Sequence, residues 1–227
     1  MKKTAYGSFY GNNEHKIAYL AIRKCACTSI ASCIASHKTK EVLRPMWPAE
    51  HARVNFDFVT QNEDELSDFF TFTFVRDPYA RFLSFYRNWI LSPPHRRILD
   101  QYRNYGLYEN MAFDDCVRAF VKIPDYSLLD PHTAPMHRYV LRSNKLRVKF
   151  IGRLENLETD FSYVRAACSL RESFERLNCS QKPDAIDPFT PELRGLIYSF
   201  YRRDFELFGY DTKDAQTQAT SSPMASD

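Results

Sequence analysis

The sequence lacks the features that would assign it to several large classes of protein. It has no apolar stretch long enough to span a membrane, and no apolar core of a secretory signal follows Met1-Lys2-Lys3. Its six cysteines do not occur at the paired spacings of zinc sites. The 31 basic and 28 acidic residues leave a net charge of +3, too balanced to indicate nucleic-acid binding by itself. We therefore expect a soluble cytoplasmic protein with free thiols and without a transmembrane segment, a metal site or a nucleic-acid partner.

The composition is that of one globular domain with a polar tail. The chain has 227 residues, of which 44% are hydrophobic, enough for one sizeable core and no clear second domain. Residues 212–227 are small and polar, so we expect them to be disordered. The predicted domain therefore covers residues 1–211.

Residues 71–88, TFTFVRDPYARFLSFYRN, combine a strand, a tight turn and a helix. The run Thr71–Val75 predicts a buried strand of a parallel sheet. Asp77 is suited to cap the helix that follows, and Pro78 fits its first turn. Such a junction places polar groups at the carboxyl edge of a sheet, where α/β folds bind ligands.

Three polar side chains around this junction suit a phosphate. Arg76 leaves the end of the strand, and Arg81 and Ser84 lie on one face of the predicted helix. A guanidinium group and a hydroxyl group together can bind a phosphate dianion. The spacing alone equally allows Arg76 to be an ordinary surface arginine at a strand end.

A second junction of strand, turn and helix occurs earlier in the chain. Residues 16–22 predict a core strand, residues 23–27 a turn, and residues 28–37 a helix. The unpaired amides and the dipole at a helix N-terminus favour an anion. Thr28 and Ser29 add hydroxyl groups there and Lys24 adds a cation. The turn has no glycine and its lysine precedes the hydroxyls by four or five residues, which does not fit the phosphate loop of nucleoside triphosphatases.

Both junctions resemble those of the sulfotransferases. The pattern R-D-P-x-x-R-x-x-S-x-Y-R-N at residues 76–88 resembles the segment in which an arginine and a serine hold the 3′-phosphate of the sulfate donor PAPS. The pattern K-x-x-C-T-S at residues 24–29 resembles the family's 5′-phosphosulfate loop, with Arg23 where the family usually has proline. The resemblance covers most of residues 17–210 and is closest to the carbohydrate sulfotransferases of the Golgi type (chondroitin 4-O and the HNK-1 kind) and their bacterial relatives.

Two further segments follow the family's order. Residues 130–136, DPHTAPM, resemble its H-W-x-P-Q/M element, with Thr133 in place of tryptophan. We predict that His132 is the general base that takes the proton of the acceptor hydroxyl. His51 is the alternative, because family members often carry a histidine between the two phosphate segments. In the heparan 2-O branch a histidine in this region is the catalytic base.

The other segment, residues 152–160, resembles the turn that lies beside the nucleotide in the family. Gly152 would allow close backbone approach, and Arg153 would reach a phosphate. The resemblance thus implies a complete donor site. Its residues are Arg23, Lys24, Cys27, Thr28, Ser29, Arg76, Ser84, Gly152 and Arg153, and the catalytic candidates are Lys24, His132 and His51.

The resemblance implies one α/β domain with a central parallel sheet flanked by helices, in a P-loop-like sulfotransferase fold. It implies transfer of a sulfuryl group from PAPS to a hydroxyl of a carbohydrate or glycolipid, with release of adenosine 3′,5′-bisphosphate and no metal. The Golgi relatives are membrane-anchored, whereas we expect a soluble, cytoplasmic, bacterial-type member. Three alternatives stay open: a nucleotide-binding module without transfer activity, a small-molecule or nucleotide kinase, and an RNA- or DNA-binding protein that uses the Arg- and Tyr-rich residues 92–108.

Overall fold

The strand predicted at residues 71–75 is an interior strand of a sheet in the computed structural model, which describes residues 7–35, 56–91, 100–170 and 187–211. The chain divides into two compact units. The first comprises Met1–Arg76 and Met136–Gln181, and the second comprises Asp77–Pro135 and Lys182–Asp227. His51 and the predicted tail, residues 212–227, lie outside the described residues. The expected single domain over residues 1–211 stays a prediction.

The described strands all belong to the first unit. In chain order they are β1 Phe9–Asn12, β2 Ile17–Leu20, β3 Phe58–Thr60, β4 Phe70–Val75, β5 Leu141–Arg142, β6 Lys145–Leu146 and β7 Phe150–Arg153. Five of them form a sheet in the order β3-β1-β2-β4-β7, and β5 pairs with β6 in a separate hairpin.

The sheet is parallel where it was predicted and antiparallel at one edge. β2 runs parallel to β4, with Tyr19 opposite Phe72, and β4 runs parallel to β7, with Val75 opposite Arg153. β1 pairs antiparallel with both β2 and β3. The predicted α/β class with a parallel core is confirmed, and the antiparallel edge makes the sheet mixed.

The described helices are distributed over both units. In chain order they are α1 Cys27–Ile34, α2 Pro78–Phe85, α3 Asp100–Arg103, α4 Phe113–Phe120, α5 His137–Val140, α6 Leu157–Cys168 and α7 Pro191–Phe208. α2 continues as a π-helix over Tyr86–Ile90, and short 3-10 turns occur at Glu63–Leu66, Tyr126–Leu128 and Leu154–Asn156. Among the described helices, none is both long and apolar enough to cross a membrane.

The core of the first unit lies between the sheet and two helices. Alternate residues of β2 and β4 point to the same face, where Tyr19 and Phe72 stack with their ring centroids 5.0 Å apart. Ile30 of α1 and Phe161 of α6 are buried against this face. The parallel strands β2 and β4 have nearly continuous apolar sequences because both of their faces are buried.

The second unit is helical, and two of its helices begin and one ends at residues that are typical of helix termini. Asp77 caps α2 by accepting a hydrogen bond from the amide of Ala80 at 2.8 Å, with Pro78 in the first turn. Thr190 caps α7 in the same way, and Gly209 ends it in a left-handed conformation at φ 62°. The predicted cap of α2 is confirmed.

Candidate active site

Three neighbouring parallel strands of the first unit end at the same edge of the sheet. β2 leads into the loop of residues 21–26, β4 ends one residue before Arg76, and β7 ends with Arg153. The Nη1 atom of Arg76 donates a hydrogen bond to the carbonyl oxygen of Lys24 at 3.3 Å. The structure thus brings together the predicted phosphate loop and the predicted phosphate arginine.

The loop between β2 and α1 has an unusual backbone. Lys24 and Ala26 both adopt the left-handed conformation, at φ 68° and φ 55°. Residues with a Cβ atom rarely do so, because that atom approaches the neighbouring carbonyl oxygen. Cys25 between them is buried, with its Sγ 3.8 Å from the Sδ of Met136. Two left-handed residues in such a short loop produce a sharp turn ahead of α1.

The N-terminus of α1 presents its first amides without a side-chain cap. Ala26 occupies the cap position and supplies no side-chain hydrogen bond. The first turn, residues 27–30, contains no acidic residue. Thr28 is half-buried and Ser29 is buried at this helix end. The first amides, the helix dipole and the two hydroxyl groups together form an arrangement that can bind an anion.

The turn after β7 is fixed by a carboxylate. The amide of Arg153 donates a hydrogen bond to Oδ2 of Asp160 at 2.7 Å. A Cβ atom at Gly152 would lie 2.5 Å from the ring of Phe74 on the neighbouring strand. The close approach that requires glycine here is therefore made by Phe74, which gives Gly152 a packing role.

In the second unit, α2 carries Ser84 and Arg81. Both side chains are buried, and the carbonyl oxygen of Ser84 accepts a hydrogen bond from Nδ2 of Asn88 at 2.8 Å. The guanidinium of Arg81 donates to the carbonyl oxygens of Ala134 at 2.9 Å and Pro131 at 3.3 Å. Arg81 thus holds the loop that contains His132, a role that the phosphate hypothesis for this residue did not include.

His132 is paired with an aspartate in this loop. Its Nδ1 atom contacts Oδ1 of Asp130, and its backbone amide donates to the same oxygen at 2.8 Å. The ring of Trp89 lies with its centroid 4.9 Å from that of the imidazole. Only 7% of the His132 surface is exposed. The imidazole is therefore held by a carboxylate on one side and an aromatic ring on another.

Two tyrosines fix the same loop. The hydroxyl of Tyr102 accepts a hydrogen bond from the amide of Asp130 at 2.6 Å and lies 2.5 Å from Oγ1 of Thr133. The hydroxyl of Tyr201 donates to the carbonyl oxygen of Thr133 at 2.6 Å. Burial raises the pKa of Tyr102 to about 12 and raises the pKa of Tyr201 well above its usual value. Both hydroxyl groups therefore stay protonated at neutral pH.

A comparison with known protein families identifies the family of the chain. The model of the sulfotransferase family matches residues 8–211. The chain belongs to the sulfotransferase family.

Named proteins of the same family have similar sequences. The chain is 24% identical to carbohydrate sulfotransferase 14 of Danio rerio, over 96% of its own length and 66% of that protein. It is also 24% identical to carbohydrate sulfotransferase 11 of Rattus norvegicus and of Mus musculus, over 88% of its own chain and 66% of each relative. The chain thus spans about two thirds of the length of these relatives. No solved structure matches the chain. Membership of the family supports a transferase that moves a sulfuryl group.

The predicted site residues of the chain occur in both units. The first unit contains Arg23, Lys24, Cys27, Thr28, Ser29, Arg76, Gly152 and Arg153. The second contains Ser84 and His132. His51 lies outside the described residues, and its role as the alternative base stays a prediction. Within the described ranges, no group of three or more His, Cys, Asp or Glu residues could hold a metal ion.

Sequence reasoning missed the residues that hold the His132 loop. Asp130 lies two residues before His132, and an aspartate at this spacing in a loop bounded by prolines was a signal for a local turn. Tyr102 and Tyr201 lie 31 and 68 residues from Thr133, and no sequence pattern indicates either contact. Thr133, which replaces the family's tryptophan, is only 1% exposed and takes part in the hydrogen bonding of the loop.

Proposed function

We propose that this protein transfers the sulfuryl group of PAPS to a hydroxyl of a carbohydrate or glycolipid and releases adenosine 3′,5′-bisphosphate. The main support is the loop between β2 and α1. Its left-handed residues Lys24 and Ala26 lead into an uncapped helix N-terminus, and Arg76 donates a hydrogen bond to its backbone. This loop lies at the carboxyl end of parallel strands, where α/β folds bind nucleotides.

The donor phosphates fit the charges of the proposed residues. In this proposal the first amides of α1, with Cys27, Thr28 and Ser29, bind the 5′-phosphate. Arg76 binds the 3′-phosphate through its planar guanidinium, and Ser84 donates its hydroxyl to the same group. Arg23, Gly152 and Arg153 complete the donor site by resemblance to the family.

The transfer itself needs one proton acceptor and one cation. His132 takes the proton of the acceptor hydroxyl, and the acceptor oxygen forms a bond to sulfur. The bond between sulfur and the 5′-phosphate oxygen breaks, and that oxygen keeps the electron pair. Lys24 neutralises the negative charge that develops there. As in phosphoryl transfer, most of the rate enhancement comes from positioning and charge stabilisation. His51 is the alternative base.

The carbohydrate acceptor is supported by the relatives. Carbohydrate sulfotransferases 14 and 11 match most of this chain, although at 24% identity. A hydroxyl acceptor also agrees with a histidine base, because a hydroxyl must lose its proton as it attacks. Location in the cytoplasm remains a proposal from the sequence.

The proposed donor site is tested by calorimetric titration of the purified protein with adenosine 3′,5′-bisphosphate, with 5′-AMP as the comparison ligand. We expect micromolar binding of the bisphosphate and a preference over 5′-AMP of about 10-fold or more, because charge-assisted contacts to the 3′-phosphate are lost in 5′-AMP. Equal binding of the two nucleotides, or none, contradicts the proposal.

Transfer is then tested with radiolabelled PAPS and a panel of acceptors that includes desulfated chondroitin. Incorporation of label into a carbohydrate supports the proposed reaction. Nucleotide binding without transfer to any acceptor of the panel would instead favour the nucleotide-binding module.

A further inference from the structure

Asp130 binds His132 in a way that selects one form of the imidazole. The Oδ1 atom of Asp130 contacts the ring nitrogen Nδ1 and accepts a hydrogen bond from the amide of His132. An ionised carboxylate can only accept hydrogen bonds, so the ring nitrogen that contacts it carries a proton. In a neutral imidazole the other nitrogen, Nε2, then has the lone pair.

The turn that presents Asp130 does not depend on the charge of its carboxylate. The backbone carbonyl of Asp130 accepts hydrogen bonds from the amides of Thr133 and Ala134, both at 2.9 Å. Tyr102 also binds the Asp130 amide. A substitution that keeps the backbone and removes the charge should therefore leave the turn in place, which separates a chemical role of the carboxylate from a structural one.

The surroundings of the pair restrict its motion. The side chains of His132 and Asp130 are 9% and 15% exposed. The Trp89 ring packs beside the imidazole, and Arg81 binds the backbone on either side of it through the carbonyls of Pro131 and Ala134. Such a supporting set of contacts is what a proton-transfer group needs, because misplacement by about 1 Å can reduce the rate about 100-fold.

We propose that Asp130 is a positioning residue for sulfuryl transfer, which fixes His132 in the tautomer whose Nε2 accepts the proton of the acceptor hydroxyl. This inference rests on the proposed function. It assigns Asp130 no contact with the substrate, because the carboxylate acts through the imidazole.

The test compares Asp130→Asn with Asp125→Asn. Asp125 makes a similar turn, in which its Oδ1 accepts a hydrogen bond from the amide two residues later, but that residue is Ser127. Both substitutions remove one carboxylate from a local turn, and only Asp130→Asn removes one from a histidine. Each variant is examined by nitrogen-detected NMR of the imidazoles, with the His132 signals assigned from their loss in His132→Ala.

We expect the wild type and Asp125→Asn to show His132 protonated at Nδ1, and Asp130→Asn to show a mixture of tautomers. In transfer from PAPS to desulfated chondroitin, or to the best acceptor of the panel, Asp130→Asn should lower kcat about 10- to 100-fold. Its affinity for adenosine 3′,5′-bisphosphate should change less than about 2-fold, because the carboxylate acts on the base and not on the donor.

A double variant decides whether Asp130 acts through His132. In the His132→Ala background, Asp130→Asn should lower kcat by no more than about 2-fold, because residues that act as a unit are not additive. A full loss in that background, or an unchanged tautomer in Asp130→Asn, overturns the inference. Absence of bisphosphate binding by the wild type is a separate result that overturns the proposed function, while the NMR comparison still decides the role of Asp130 at the imidazole.

Discussion

The guanidinium of Arg76, at the end of β4, donates a hydrogen bond to the backbone carbonyl of Lys24 in the loop that follows β2. The two residues are 52 positions apart in the chain and meet because β2 and β4 are adjacent parallel strands. The bond uses one of the five N–H groups of the guanidinium. Arg76 therefore supports the shape of the loop, and binding of a phosphate is a separate role that a substitution can test.

Arg76→Ala should weaken the binding of adenosine 3′,5′-bisphosphate by about 10- to 100-fold, because a hydrogen bond to a charged group contributes about 1.5–3 kcal/mol. Binding of adenosine 5′-phosphosulfate, which has no 3′-phosphate, should fall much less. Calorimetry with both ligands measures the difference. Arg202→Ala is the control, since Arg202 is an exposed arginine that pairs with Glu206. An equal loss for both ligands would show that Arg76 serves the loop alone.

Lys24→Ala and Lys24→Gly should both lower kcat by about 100-fold, because each removes the cation beside the developing charge. The two variants should differ in stability. Lys24 lies at φ 68°, which glycine adopts freely and alanine does not. Lys24→Gly should therefore be the more stable variant, by up to about 1 kcal/mol in denaturant unfolding. Near-wild-type turnover in either variant would remove Lys24 from the mechanism.

Gly152→Ala should destabilise the protein by about 1–3 kcal/mol, because its new methyl group would lie 2.5 Å from the ring of Phe74. Phe74→Leu should partly restore stability in this background although it is destabilising on its own. Gly195→Ala is the control: nothing lies within 4 Å of its Cβ position, so the substitution in α7 should stabilise by about 0.5–1 kcal/mol. If Gly152→Ala is neutral in denaturant unfolding, the packing role of Gly152 is wrong.

The sequence predicted those helices and strands whose bounds depend mainly on residues that are neighbours in the chain. The apolar run ending at Arg76-Asp77-Pro78 predicted β4 and the start of α2. Thr190-Pro191 and Gly209, at the two ends of α7, are local signals of the same kind. β1 and β3 were not predicted. They are four and three residues long, and pairing with distant strands stabilises them.

The candidate site also has some features that the sequence predicts and others that it does not. The hydroxyls and cation of residues 23–29 could be read from the sequence together with the family pattern. The left-handed conformations of Lys24 and Ala26 could not, because neither residue is glycine. The contacts of Tyr102 and Tyr201 with the His132 loop also could not, since they depend on how the second unit packs.

The protein should lose stability as the pH rises above about 9. Burial raises the pKa of Cys116 from 9.0 to about 12 and the pKa of Cys168 from 9.0 to about 11. In the unfolded chain these thiols lose their protons first, so the unfolded state binds fewer protons and gains stability as pH increases. At pH values between its unfolded and its folded pKa, each thiol lowers the free energy of unfolding by about 1.4 kcal/mol per pH unit. Denaturant unfolding at a series of pH values measures the slope, which Cys116→Ala should make less steep; an unchanged slope contradicts the assignment to Cys116.

At Tyr201, α7 departs from helical geometry. Tyr201 has φ −105° and ψ 19° inside the helix, and its buried hydroxyl donates to the carbonyl oxygen of Thr133. Tyr201→Phe leaves that carbonyl without this donor, which should cost about 1–3 kcal/mol and shift the NMR signals of the neighbouring His132 ring.

Tyr126→Phe is the matched control for Tyr201→Phe. Tyr126 also donates to a carbonyl oxygen of the same unit, that of Phe200 at 2.7 Å, in a partly buried place, but this carbonyl belongs to α7 and not to the His132 loop. Its loss should cost less stability and leave the His132 signals where they are. If both variants shift His132 alike, the signals report the general packing of the unit. If only Tyr201→Phe does so, the bond from α7 to Thr133 is what holds the histidine loop in place.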